Sequence, residues 1–268
     1  MYFKAVGHGY EFEPALTASL AKLRPDRVPE VIAVDEERGW LLLRDGGPRL
    51  RELVTAADDL GHWERALPLY AELQIAATPL ARDLLRLGVP DERLDVLPAR
   101  LRELLDDPDA LPPELRARAA AAVPELESLC AELASYGVAE TIQHDDLHDG
   151  QVFFADGRYR FFDWGDACVS HPFHSLTVTL RATAARLELE PGAAELRRLR
   201  DAYLEPFGAP AEAGELAYRT GTIARAVAWY RHLEKAGARA DPEDAAAPAY
   251  SLALFLQGGP IGSWRSPL

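Results

Sequence analysis

Two cysteines, Cys130 and Cys168, are all the thiol this 268-residue chain carries. Two thiols build neither a disulfide framework nor a cysteine-rich zinc site, and both are expected to be inert, small apolar residues. Long apolar runs are also missing. A membrane-spanning helix needs about 18 such residues, and the longest candidate, around Leu252–Leu256, is far shorter. The opening MYFKAVGHGY has no apolar core or cleavage signature of a secretory signal. Positive charge is in deficit: 29 Lys and Arg stand against 43 Asp and Glu, a net charge of −14. That balance argues against nucleic-acid phosphates and anionic membranes, and it favours a cationic small molecule as partner. Apolar residues, at 48%, suffice for a sizeable core. The expectation is a soluble, cytoplasmic protein of one large or two small domains, with neither nucleic acid nor membrane as partner.

Residues 1–47 read as a small α+β unit. Tyr2–Val6 alternates as a strand, and Pro14 fits the start of a helix over about 14–23. Val31–Val34 and Trp40–Leu43 flank a polar turn, the pattern of a hairpin. Asp45-Gly46-Gly47-Pro48 breaks the pattern and suggests a hinge. Residues 48–268 read as mainly helical, without interruption from Arg49 to Tyr136 and again from Pro172 to about Leu256. Breaks are expected at Pro191-Gly192, Pro206–Pro210 and Asp241-Pro242, with an irregular tail from Gln257 to Leu268. Trp63, Leu67, Leu69, Tyr70 and Leu73 mark one buried helix face, and Trp229 and Tyr230 read as core aromatics. Between the helical stretches, Thr141-Ile142, Val152–Phe154 and Tyr159–Phe162 read as strands, the last two joined by a tight turn.

The reactive groups concentrate around that hairpin. His144-Asp145-Asp146-Leu147-His148-Asp149-Gly150-Gln151 forms a polar loop, the kind of segment that carries catalytic groups on a rigid scaffold. Seventeen residues after Asp146, the strand Phe161-Phe162 ends in Asp163, so the hairpin returns both acids to one end of a small sheet. Phosphoryl transfer suits that geometry. Asp146 would orient and deprotonate an acceptor hydroxyl, and Gln151 and Asp163 would offer oxygen ligands to magnesium on nucleotide phosphates.

The stretch His144–Gln151 resembles the H-G-D-x-H-x-x-N pattern of aminoglycoside-phosphotransferase-like small-molecule kinases, and Asp163-Trp164-Gly165 resembles that family's metal-binding motif. The resemblance implies a protein-kinase-like fold of two lobes. A small, truncated N-lobe would end near residue 47, and a large, mainly helical C-lobe would carry the hairpin. It implies ATP and Mg2+ as cofactors and Asp146 as catalytic base. Lys4 would lie on the nucleotide phosphates and pair with Glu13, with Glu11 as runner-up. Trp40–Gly47 resembles the strand and hinge that hold adenine, which brings Arg44, Asp45 and Gly46 into the nucleotide site. His144, His148, Trp164 and Asp166 would support the site, and Asp145, Asp149 and Asp166 would favour a cationic acceptor.

The chain departs from the family pattern in three places. Gln151 replaces asparagine, and Asp145 replaces glycine, which adds charge beside the base. The family's Gly-rich hairpin would precede the lysine strand, so the expectation is a further N-terminal segment ahead of Met1. Two rival readings accompany the kinase. One is a catalytically impaired, nucleotide-binding relative. The other is a metallohydrolase that uses His144, Asp146 and His148 as ligands.

Overall fold

A computed structural model describes residues 1–237, 241 and 244–264. Pro242, where a break is expected, and residues 265–268 of the expected irregular tail lie outside the described residues.

β1 (Tyr2–Ala5), α1 (Glu13–Leu23), β2 (Val31–Asp35) and β3 (Trp40–Leu43) form the first unit. Pro14 opens α1, where its missing N–H costs nothing, and Glu13 and Lys22 complement the two ends of the helix dipole. The strands make an antiparallel sheet in the order β1-β3-β2, with Lys4 opposite Leu41.

The second unit runs α2 (Gly61–Ala77), α3 (Ala81–Arg86), β4 (Asp91–Glu92), α4 (Leu97–Asp106), α5 (Pro113–Ala121) and α6 (Val123–Ser135). Then come β5 (Thr141–Gln143), β6 (Val152–Ala155), β7 (Arg158–Phe161) and β8 (Cys168–Ser170), and finally α7 (Ser175–Arg186), α8 (Ala194–Leu204), α9 (Ala211–Ala236) and α10 (Ala247–Gln257). β6 and β7 pair as the expected hairpin, Val152 opposite Phe161. α9 is the central helix, packed by α4, α6, α7, α8 and α10. The core is continuous: Leu16 and Leu20 of α1 share one cluster with Trp63, Leu67 and Tyr70 of α2, Phe161 of β7 and Tyr203 of α8. The expected α+β fold, with a small sheet-bearing lobe and a large helical lobe carrying a hairpin, holds.

Four readings need correction. The stretch Arg49–Tyr136 is not helical throughout, because β4 interrupts it, and β8 stands where no strand was expected. β4 lies parallel and β5 antiparallel to β8 in a second three-stranded sheet. Strands of two and three residues are too short to display an alternation, and they exist through their partners rather than their own propensity. Trp63 is fully buried, but Trp229 and Tyr230 are only half-buried on α9. Trp229 faces a small cavity instead of the core. Leu69 is likewise half-buried at the margin of the α2 face.

Candidate active site

β5 delivers the chain into the loop 144–150, and side chains from three helices or turns hold that loop in place. The His144 backbone N–H donates to Tyr70 Oη at 3.0 Å, and Thr179 Oγ1 donates to the Leu147 carbonyl at 2.7 Å. The buried His144 ring meets the Phe162 carbonyl through Nε2 at 2.8 Å and lies 4.7 Å from the Trp164 ring. Burial lowers its proton affinity. Trp164, fully buried, donates to the Phe161 carbonyl at 3.3 Å. Both residues therefore brace the loop against the end of β7.

His148 Nδ1 accepts from the Gly150 N–H at 2.9 Å and stands 3.0 Å from Arg51 Nη2. An accepting Nδ1 assigns the ring proton to Nε2, which points at Asp146 Oδ2, 3.4 Å away. Asp149 pairs with Arg186 of α7 and with Arg51. Burial works against charge on Asp146, but the hydrogen bond from His148 and the positive Arg225 outweigh it. The carboxyl is held well below the usual carboxylate range.

The hairpin joins this loop to the small sheet. The Phe162 N–H donates to the Gln151 carbonyl at 3.1 Å, and Gln151 Nε2 reaches Asp146 Oδ2 at 3.4 Å. One residue on, Asp163 adopts a left-handed backbone, φ 68°. Non-glycine residues are uncommon there, and such conformations cluster at functional sites. Its Oδ1 accepts from Lys4 Nζ at 2.5 Å, and the same ammonium donates to Glu13 Oε1 at 2.7 Å. Burial alone would lower the Lys4 pKa, but the two carboxylates overcome it and raise it. Glu13, nearly inaccessible, is raised by burial against the pull of Lys4, and its Oε2 has no hydrogen-bond partner. The runner-up Glu11 is exposed and turns to His8 and the Gly9 N–H.

A pocket of about 230 Å3 opens beside Lys4, Glu13 and Asp163, lined further by Leu41, Leu43, Arg49, Phe153 and Phe162. The rings of Phe153 and Phe162 stack at 3.9 Å and 11°. Arg44, Asp45 and Gly46 do not line it. They border a separate, wider groove, where Arg44 pairs with Glu30 at 2.6 Å and Asp45 accepts from the Gly47 N–H at 3.0 Å. Gly46 reaches the Lys4 pocket only indirectly. A Cβ there would fall 2.2 Å from the Phe153 ring, so the close approach of hinge to hairpin requires glycine. Residue type alone does not separate the two sides of the hinge.

Asp166 belongs to a third space, a cavity of about 110 Å3 shared with Arg225, Ala228, Trp229, His232 and Asp244. Arg225 is the main residue that motif reasoning missed. It lies 79 residues from Asp146, yet Nη2 reaches Asp146 Oδ1 at 3.2 Å. One signal was present: it is the single charge in the run Thr220–Tyr230.

Oxygen donors suited to magnesium are present in the Asp163 carboxylate and the Gln151 amide, amid the surplus of carboxylates formed by Glu13, Asp146, Asp163 and Asp166. A histidine-based metal centre is not. Among the described residues no three His, Cys, Asp or Glu side chains converge to hold a metal. His148 spends both ring nitrogens on Gly150 and Asp146, and His144 spends Nε2 on the Phe162 carbonyl while its Nδ1 is buried without a partner. The metallohydrolase reading is corrected on that ground.

A small lobe whose lysine pairs with a helix glutamate and with the acid after a hairpin defines the class of protein-kinase-like small-molecule kinases. The chain belongs to the phosphotransferase enzyme family (APH), whose sequence profile matches residues 8–219. The expected family and enzyme class therefore hold. No curated protein matches the sequence. Among solved structures, an ethanolamine kinase from Plasmodium vivax is 14% identical, with a TM-score of 0.64 over 92% of this chain and 76% of that one. A macrolide 2'-phosphotransferase from Brachybacterium faecium is 21% identical, with a TM-score of 0.56 over 91% and 80%. An amicoumacin kinase in complex with AMP-PNP, Ca2+ and Ami is 13% identical, with a TM-score of 0.58 over 96% and 80%. At these identities the likeness is one of fold.

Proposed function

We propose that this phosphotransferase moves the γ-phosphoryl group of ATP to a hydroxyl of a small cationic molecule, with Asp146 as the base. The observation that carries this reading is the unbroken line of contacts from Asp146 through Gln151, Phe162 and Asp163 to Lys4 and Glu13. It connects the residue read as proton acceptor to the lysine read as phosphate-binding. Lys4 holds the nucleotide phosphates, with Glu13 fixing its ammonium. The apolar walls at Leu41, Leu43 and Phe153 suit the base of the nucleotide. Asp146, ionised and oriented by His148 and Arg225, takes the hydroxyl proton as the oxygen attacks phosphorus. Gln151 and Asp163 would hold Mg2+, which neutralises charge developing on the phosphoryl oxygens. The acceptor's positive group fits beside the carboxylates of Asp166 and Asp244, in the cavity they share with Arg225, Trp229 and His232. ATP as donor, with two free buried cysteines, suits a cytoplasmic enzyme.

The test is ADP release from MgATP with a panel of hydroxylated amines and neutral alcohols, with Asp146→Asn as control. Acceptor-dependent turnover should fall by about 10²–10⁴-fold in the control. Equal rates in the two proteins overturn the assignment and leave a nucleotide-binding relative without turnover.

A further inference from the structure

Asp145 occupies a backbone position suited to glycine, with φ 60°, and its carboxylate is buried, 3% exposed. A buried charge needs a partner, and α9 supplies one. Arg225 Nη1 donates to both the carbonyl oxygen and Oδ2 of Asp145, each at 2.9 Å, while Nη2 donates to Asp146 Oδ1 at 3.2 Å. Trp229, one turn further along α9, covers the guanidinium at 4.8 Å. On the far side of Asp145, Gln143 Nε2 approaches Oδ1 at 3.4 Å.

We propose that Asp145 and Arg225 act as one unit that positions Asp146, a role that rests on Asp146 receiving the acceptor's proton. The planar fork of arginine is what allows this, because two donors on one rigid plane can serve two carboxylates at once. One arm is taken by Asp145, whose carboxyl burial pushes up to about 7 against the pull of Arg225, so it offsets part of the guanidinium's charge. The other arm holds Asp146 Oδ1 and leaves Oδ2 on the side of His148 and Gln151. Without Arg225, two adjacent buried carboxylates repel. Without the Asp145 carboxylate, the guanidinium keeps only the residue-145 carbonyl, and its uncompensated charge draws the Asp146 carboxylate from the hydroxyl it should receive. Without both, the backbone regains the glycine it favours and Asp146 keeps His148. Each single loss is therefore worse than the double loss.

The experiment compares Arg225→Met, Asp145→Gly and the double variant by Tm and by MgATP turnover, using the best acceptor of the panel or water. Each single variant should lose roughly 6–12 °C in Tm, as expected when one member of a buried ion pair is removed. Each should lose about tenfold or more in kcat at unchanged KM for ATP, the mark of misplacement rather than lost binding. The double variant should recover most of both. Should Asp145→Gly fail to fold, Asp145→Asn replaces it, since asparagine also tolerates the left-handed backbone. Additive losses in the double variant, or a change confined to KM, overturn the proposal. A wild type no faster than Asp146→Asn sinks the functional reading instead. In that case the Tm cycle still decides the unit, because the cost of Arg225→Met should shrink in an Asp146→Asn background if the arginine holds that carboxylate.

Discussion

At the scale of single residues, the site works by surrounding Asp146 with donors that hold it charged and oriented. His148 and Arg225 keep its carboxyl well below the ordinary range despite burial. A group whose folded pKa is depressed adds stability above its unfolded pKa and loses it as pH falls toward the folded value. Asp146→Asn should therefore lower Tm at pH 7, and the difference from wild type should narrow below about pH 4, where the unfolded carboxyl protonates. Thermal melts across that range check the sign; a gap that widens on acidification contradicts it. Candidate roles for Asp146 and Asp163 were legible from motif spacing, and those for Lys4 and Glu13 from the family resemblance, because each residue sits within its own recognisable segment. Arg225 could not be, because its partner lies across the fold. Asp145 alone hinted at it: an extra acid in a buried loop demands a counter-charge, and the sequence does not say which of the chain's arginines provides it.

At the scale of elements, the crossing of α7 and α9 sets how Arg225 meets the loop. Gly221 marks that crossing, where a Cβ would stand 2.1 Å from Thr177 Oγ1 and 3.4 Å from His174 Cα. Alanine in a helix interior gains about 0.5–1 kcal/mol over glycine from the backbone. Overpacking a fitted contact costs about 1–3 kcal/mol, and a threonine in a helix has few rotamers to escape into. The clash should win, so Gly221→Ala lowers Tm by a few degrees and reduces kcat by shifting Arg225. A raised Tm would show that the helices separate freely. Helices and the hairpin were legible because their periods repeat over many residues. β4 and β8 were not, since each is a short segment made a strand by its neighbour. The hinge was legible as a break in pattern, but not the face on which its side chains would lie.

At the scale of the whole molecule, the net charge of −14 sets a field that favours cations. Part of it is local, in Asp166 and Asp244 around the Trp229 cavity. Screening should act on this field directly. Raising salt from about 0.05 to 0.5 M shortens the Debye length severalfold, so KM for a cationic acceptor should rise while KM for a neutral alcohol stays level. Parallel changes for both would remove the cavity's acids from acceptor recognition.

By itself the sequence determined the chemistry on offer: a lysine strand, a helix glutamate, a loop with a base and an acid at the end of a hairpin. These follow from local rules, because period, turn residues and motif spacing act over a few positions. Only the tertiary structure decided which of those groups meet. It drew Lys4 onto Asp163 across 159 residues, left Arg44 and Asp45 on the other side of the hinge, and brought Arg225 from α9 to Asp146. Such contacts depend on how elements pack, and packing is decided by the whole core at once rather than by any one stretch of it.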